Sequence, residues 1–243
     1  SGKLDSFNQE LAHFALGKAY DDLGSYDRAF ENYRLGNQIS VTRTNELTVS
    51  ESNEHRWIEG FKNISLPELQ PDQTQPIFVC GMYRSGSTLI EKVLCSHADV
   101  NTGKEFDFFK SNEAVFEKIL RYTDKQKMSA LTKLRAEYCK EIYCDNKYIV
   151  DKSPTNLKYL YLIKLMFPEC KTVITQRHVL DCCLSLDFQM FNNHLPCAND
   201  LEAIFNEYVA YDKLSKYSLN SYECIHIVSY EEMVYKQHSV TKE

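Results

Sequence analysis

Apolar residues recur at two different periods along this chain, and the change of period marks out its elements. From Phe7 to Ile39 they return every three to four positions, in two runs broken at Asp22-Leu23-Gly24-Ser25, which predicts a helical hairpin. Residues 41–75 are mostly polar. A helix is expected there around Glu51 to Phe61, carrying the only tryptophan, Trp57, and the stretch from Pro67 to Pro76 reads as a linker. Beyond it short unbroken apolar runs begin. Ile77-Phe78-Val79-Cys80 has the length and β-propensity of a buried strand, and Ser87 to Ser96 is periodic and helical. The alternation continues with a short strand near Asp99 to Gly103, helices through about 111–144, a strand at Tyr148-Ile149-Val150 and a helix from Asn156 to Phe167. The strand Thr172 to Thr175, helices at Leu180 to Phe191 and about Asp200 to Tyr217, and the strand Ile225 to Val228 complete it. Such alternation predicts an α/β fold whose mainly parallel sheet is covered by helices on both faces. Two domains are expected, a small all-α segment with its linker over 1–70 and the α/β domain over 71–243.

In the hairpin, Leu16, Gly17, Tyr20, Ala29 and Tyr33 fall at the offsets L-G-x-x-Y, then A, then an aromatic. The segment thereby resembles one tetratricopeptide repeat, in which small residues sit where two helices touch. A lone repeat cannot bury both of its faces. Either it packs on the rest of the chain or it closes a longer array, and a protein partner bound through it is a further reading left open.

Composition narrows the function classes. With 43% hydrophobic residues in 243, the chain can bury a sizeable core, and its net charge of -6 points neither to nucleic acid nor to an anionic membrane surface. Any anionic ligand must be held by local donors. No window approaches the ~20 apolar residues that span a bilayer, and SGKLDSFNQE lacks the basic-then-apolar layout of a signal peptide. Nine cysteines without C-x-x-C spacing argue against zinc and against a disulfide framework; buried free thiols in the reducing cytoplasm are the expectation.

The chemistry gathers at GMYRSGST, Gly81 to Thr88, between a predicted strand and a predicted helix. Gly81-x-x-x-x-Gly86 followed by Ser87-Thr88 has the glycine spacing of a phosphate-binding P-loop, in which backbone N–H groups and a helix N-terminus surround an anion. Ser87 stands where a nucleoside triphosphatase has lysine, and Arg84 offers a planar fork within the loop. An ordinary nucleotide kinase or ATPase is thereby disfavoured, and no metal-holding carboxylate is evident.

PIFVCGMYRSGSTLIEKVLCSHADV resembles the loop and helix of the sulfotransferases fused to tetratricopeptide repeats and, more distantly, of the tyrosylprotein sulfotransferases. The resemblance implies a P-loop-like sheet and transfer of a sulfuryl group from 3′-phosphoadenosine 5′-phosphosulfate to a hydroxyl or amine acceptor, leaving 3′-phosphoadenosine 5′-phosphate. It assigns Arg84, Ser85, Gly86, Ser87 and Thr88 to the 5′-phosphosulfate end. VDKSPTNLKYLYLIKLMFPE is similar to the family's second motif and carries over Lys152, whose ammonium would stabilise charge on the leaving oxygen. A residue just past a strand's C-terminal end also lies where ligands bind in open parallel sheets. TVITQRHVLDCCLSLDF supplies Arg177 and, eight residues on, Ser185, the pair that by resemblance holds the donor's 3′-phosphate. IVSYEEM is similar to the strand and turn whose tyrosine, here Tyr230, contacts the nucleotide.

For a general base the candidates are Glu105 and His97. A helix of roughly 10 residues from Ser87 carries the chain about 15 Å from the phosphate edge, so His97 falls at the wrong end of the sheet. A strand of roughly 4 to 5 residues returns it about as far, bringing Glu105 back, where it also matches the family's glutamate base. The resemblance spans roughly residues 76–236 and implies a further helix and basic segment beyond HSVTKE, so a C-terminally incomplete domain is expected. Tyr83 for proline, and His178 and Gln189 where relatives carry aspartate and arginine, keep open a catalytically silent adaptor. The acceptor, whether small molecule, glycan or peptide, is not legible in the residues.

Overall fold

The structure is a computed structural model that describes residues 5–44, 54–67, 74–103, 106–191 and 195–236. The helices are α1 (Ser6–Asp22), α2 (Tyr26–Thr44), α3 (Glu54–Phe61), α4 (Ser87–Leu94), α5 (Phe108–Ser111), α6 (Glu113–Ile119), α7 (Asp124–Ile142), α8 (Leu160–Met166), α9 (Val179–Asp187), α10 (Leu201–Ser221) and α11 (Tyr230–Tyr235). The strands are β1 (Gln75–Gly81), β2 (Val100–Thr102), β3 (Tyr148–Lys152), β4 (Lys171–Gln176) and β5 (Ile225–Ser229). By internal packing the chain forms two units, Ser1–Glu51 with His178–Ala210, and Ser52–Arg177 with Tyr211–Glu243.

The second unit holds the sheet, in the order β2-β3-β1-β4-β5 with every neighbouring pair parallel. β1 is central because its residues are apolar on both faces. Phe78 points to one side, where its ring meets Phe109 of α5, Tyr138 of α7 and Phe167 at 6.0–6.1 Å. Val79 points to the other and packs with Val150, Val228, Ile90 of α4 and Met233 of α11. Both faces of an all-parallel sheet must be covered in this way, since crossover helices fall on them. α3 belongs to the same unit: buried Trp57 stacks on Tyr159 at 5.1 Å, and the Gly60 carbonyl accepts from Lys127 Nζ at 2.7 Å.

The first unit contains the expected helical hairpin. Phe14, Ala29 and Tyr33 are buried between α1 and α2, and a side chain at Gly17 would strike the Tyr33 ring. Phe188, just past α9, stacks on Tyr33 with centroids 4.3 Å apart, and Asn37 Nδ2 donates to the Asp187 carboxylate and carbonyl, each at 2.9 Å.

Three details differ from the sequence reading. The helical stretch at 111–144 is α5, α6 and α7, the last opened by a capping box between Thr123 and Gln126. The helix expected from Asn156 begins as a 3-10 turn at Pro154–Tyr159, and the strand expected from Ile77 begins at Gln75, inside the supposed linker. Proline at 76 is compatible with that early position in a strand.

Candidate active site

Where β1 ends the chain turns sharply, and three backbone angles show how. Gly81, Arg84 and Gly86 have φ of 139, 65 and 103°, all in the region L side chains avoid. At Gly81 a side chain would strike Thr175, and at Gly86 the Tyr230 ring. Arg84 has no such freedom as glycine; holding it left-handed costs on the order of 1 kcal/mol or more, supplied by the surroundings.

Those surroundings include a buried hydroxyl relay. Ser85 Oγ lies 2.5 Å from the Met82 carbonyl and 2.6 Å from Thr175 Oγ1, which in turn lies 3.1 Å from the Cys80 carbonyl. Two protons serve these three contacts, and both hydroxyls are turned inward, Ser85 toward the loop's own Met82 carbonyl and Thr175 of β4, and Thr175 toward Cys80 of β1. The Ser85 N–H also turns inward, donating to the Met82 carbonyl at 3.2 Å. Gly86 then caps α4 without a side-chain bond, leaving the N–H groups of Ser87 and Thr88 in a first helical turn, where no intrahelical partner exists. Ser87 is buried and Thr88 exposed.

Register brings the remaining residues to the same edge. Gly81 pairs with Thr175, Gln176 with Ser229, and Val79 with Lys152. Lys152, which shares the Val79 face, is 7% exposed, and its Nζ lies 3.9 Å from Glu91 Oε2 on α4. Thr102 Oγ1 donates to the other Glu91 oxygen at 2.8 Å. Arg177 and Tyr230 follow directly on Gln176 and Ser229, past the ends of neighbouring strands, and the guanidinium carbon lies over the tyrosine ring 4.5 Å from its centroid. Arg177 Nη1 also donates to the Arg84 carbonyl at 3.2 Å. The chain leaves β1 toward β2 and β3 and leaves β4 toward β5, so β1 and β4 flank the point where strand order reverses, where ligands enter open parallel sheets.

Behind Lys152, on the opposite face, Asp151 is fully buried and accepts from Tyr138 Oη at 2.7 Å and Asn156 Nδ2 at 3.0 Å. Burial pushes its carboxyl up to about 7; the two hydrogen bonds oppose that rise. Ser153 Oγ donates to Asp107 Oδ1 at 3.0 Å, adding a carboxylate beside the end of β3.

Of the residues singled out from the sequence, Arg84, Ser85, Gly86, Ser87, Thr88, Lys152, Arg177 and Tyr230 gather at this edge of the second unit. Ser185 lies on α9 in the first unit. Glu105 lies outside the described residues. His97 sits at the opposite edge: its Nδ1 accepts from the Asp99 N–H at 3.2 Å, and Val100 pairs with Tyr148, the first residue of β3. Sequence reasoning missed Glu91, Thr175 and Asp107. Glu91 stands one helical turn after Ser87, the only signal it gives. Among the described residues no group of three or more His, Cys, Asp or Glu could hold a metal ion, and no helix is long and apolar enough to cross a membrane. All nine cysteines are free thiols.

Residues 76–243 match the Sulfotransferase family, a span that takes in the sheet, the loop and every residue gathered at its edge. The chain belongs to this sulfotransferase family. An uncharacterized protein of Aquifex aeolicus (strain VF5) is 32% identical in an alignment of 201 residues that covers 72% of this chain and 25% of that protein. The chain thus spans about a quarter of that relative's length. Among solved structures, a sulfotransferase from Alicyclobacillus acidocaldarius is similar at 16% identity and a TM-score of 0.47, over 72% of this chain and 79% of its own. Sulfotransferase STF1 from Mycobacterium tuberculosis H37Rv is similar at 12% identity and a TM-score of 0.43, over 99% and 82%. In this chain the matched segment opens at Pro76, the second residue of β1.

Proposed function

We propose that this chain transfers a sulfuryl group from 3′-phosphoadenosine 5′-phosphosulfate to a hydroxyl or amine acceptor. The observation that carries the reading is the convergence of the glycine loop, Lys152 and Arg177 on one sheet edge in a member of the sulfotransferase family. When bound, the donor supplies a sulfuryl group whose departure leaves charge on the bridging oxygen. The residues fit such an anion: the loop turns through three positive φ angles into a helix N-terminus, and Arg84, Lys152 and Arg177 bring positive charge to the edge.

In this reading Lys152 steadies negative charge at the end of β3, its ammonium directed by Glu91. The amides of Ser87 and Thr88 and the Arg84 side chain hold the sulfate end, while Ser85 acts inside the loop by fixing its shape. Arg177 anchors the 3′-phosphate by charge-assisted bonds. The assignment of Ser185 to that phosphate is what the resemblance to the sulfotransferases implies, and Glu105 is proposed as general base from the same resemblance and from its sequence position. The hairpin supports kinship with the tetratricopeptide-repeat sulfotransferases, and thiol-rich composition supports a reducing, cytoplasmic setting.

Incubation with the sulfate donor and a panel of hydroxyl-bearing small molecules, glycans and tyrosine peptides tests the activity. Formation of 3′-phosphoadenosine 5′-phosphate dependent on one of these acceptors is expected. Phosphoryl transfer from Mg-ATP to the same panel would replace the reading with that of a kinase.

A further inference from the structure

The Arg177 guanidinium lies over the Tyr230 ring and bonds the loop at the Arg84 carbonyl, and the same ring leaves no room for a side chain at Gly86. We propose that Tyr230 is a positioning residue that fixes Arg177 and, through it, the anion loop, and so sets the preference for nucleotides carrying a 3′-phosphate. The second half of this statement rests on the reading of Arg177 as the 3′-phosphate anchor.

Each link has a physical cause. Tyr230 is held in place by its own helix start: Ser229 Oγ caps α11 by accepting from the Glu232 N–H at 3.3 Å, and Ser229 is fixed in turn by its pairing with Gln176. The ring meets Gly86 at the start of α4 and the Arg177 guanidinium past the end of β4. A hypothetical Cβ on Gly86 would come within 2.5 Å of Tyr230 Cδ2, so ring and glycine backbone are already in contact. Guanidinium over an aromatic face is attractive, and it leaves the in-plane N–H donors available to other acceptors. One of them reaches the carbonyl of Arg84, the residue held at φ 65°. Ring, guanidinium and strained loop residue form one chain of contacts, all within the second unit.

Two measurements on the full chain test it. Calorimetric titration with 3′-phosphoadenosine 5′-phosphate and with ADP gives the affinity ratio, and hydrogen exchange without nucleotide gives the protection of the Ser85 amide, which bonds inside the loop. Tyr230→Leu removes the π face and should lower the ratio about 3- to 30-fold and speed Ser85 exchange. Tyr230→Phe keeps the face and should restore both. Wild-type ratio and protection in Tyr230→Leu, or a loss in Tyr230→Phe as large as in Tyr230→Leu, overturns the proposal. If the wild type itself fails to distinguish the two nucleotides, the reading of Arg177 fails. The loop-holding role is then decided by exchange alone, and unchanged Ser85 protection in Tyr230→Leu refutes it.

Discussion

A methyl group at Gly86 has nowhere to go: the backbone sits at φ 103° and the Tyr230 ring occupies the space. Gly86→Ala should therefore destabilise the fold by about 1–3 kcal/mol, read as a lower denaturation midpoint, and weaken nucleotide binding as well. Wild-type stability would show that the ring yields freely. Asp151 makes a prediction with a definite sign. Its folded-state pKa is raised to about 7 by burial, so between about 4 and 7 the folded chain binds a proton that the unfolded chain lacks. Stability contributed by this group is present below that window and lost as pH rises through it. Asp151→Asn should flatten the melting-temperature profile there, apart from a smaller fall of the same sign from Asp187, raised to about 6 by burial. An unaltered slope would mean that Asp151 is ionised in the folded state. The loop residues and Lys152 were legible because their motifs are contiguous. Glu91 and Thr175 were not, since their roles depend on a strand register and a helix phase that bring distant residues within 4 Å.

β1 supports the site by being buried on both faces, and Phe78 is its largest fully buried side chain. Phe78→Ala should cost about 3–5 kcal/mol in a urea titration, since three rings lose their common partner. A cost below about 1 kcal/mol would contradict that packing. Periodicity revealed this strand, its helix α4 and the parallel alternation that follows. It did not reveal the breaks between α5, α6 and α7, because apolar spacing continues across them while they fall at Asn112, which ends α5 and begins α6, and at the reciprocal cap of Thr123 and Gln126 that opens α7. The short helix α11 was read as a turn for a related reason: its six residues offer less than two turns of pattern, and its start is marked by the Ser229 cap.

The division of the chain into two units was the least legible feature. Composition changes near residue 70, yet α3 packs with the sheet and residues 178–210 pack with the N-terminal hairpin. The bonds responsible, such as Asn37 to Asp187, join positions 150 residues apart and leave no local trace. For the proposed activity chelation provides one check: EDTA should leave donor binding and turnover unchanged, because in that reading Arg84 and Lys152 take the part that Mg²⁺ plays in phosphoryl transfer. A strict Mg²⁺ requirement would favour a kinase. The central claim is that this sheet edge recognises a nucleotide by its 3′-phosphate, and calorimetry on wild type and Arg177→Ala, each with 3′-phosphoadenosine 5′-phosphate and with ADP, tests it directly. Wild type should favour the 3′-phosphorylated nucleotide about 10- to 100-fold, the worth of one charge-assisted contact, and Arg177→Ala should bind the two alike. Equal affinities in the wild type, or a preference that survives the loss of Arg177, would contradict the account.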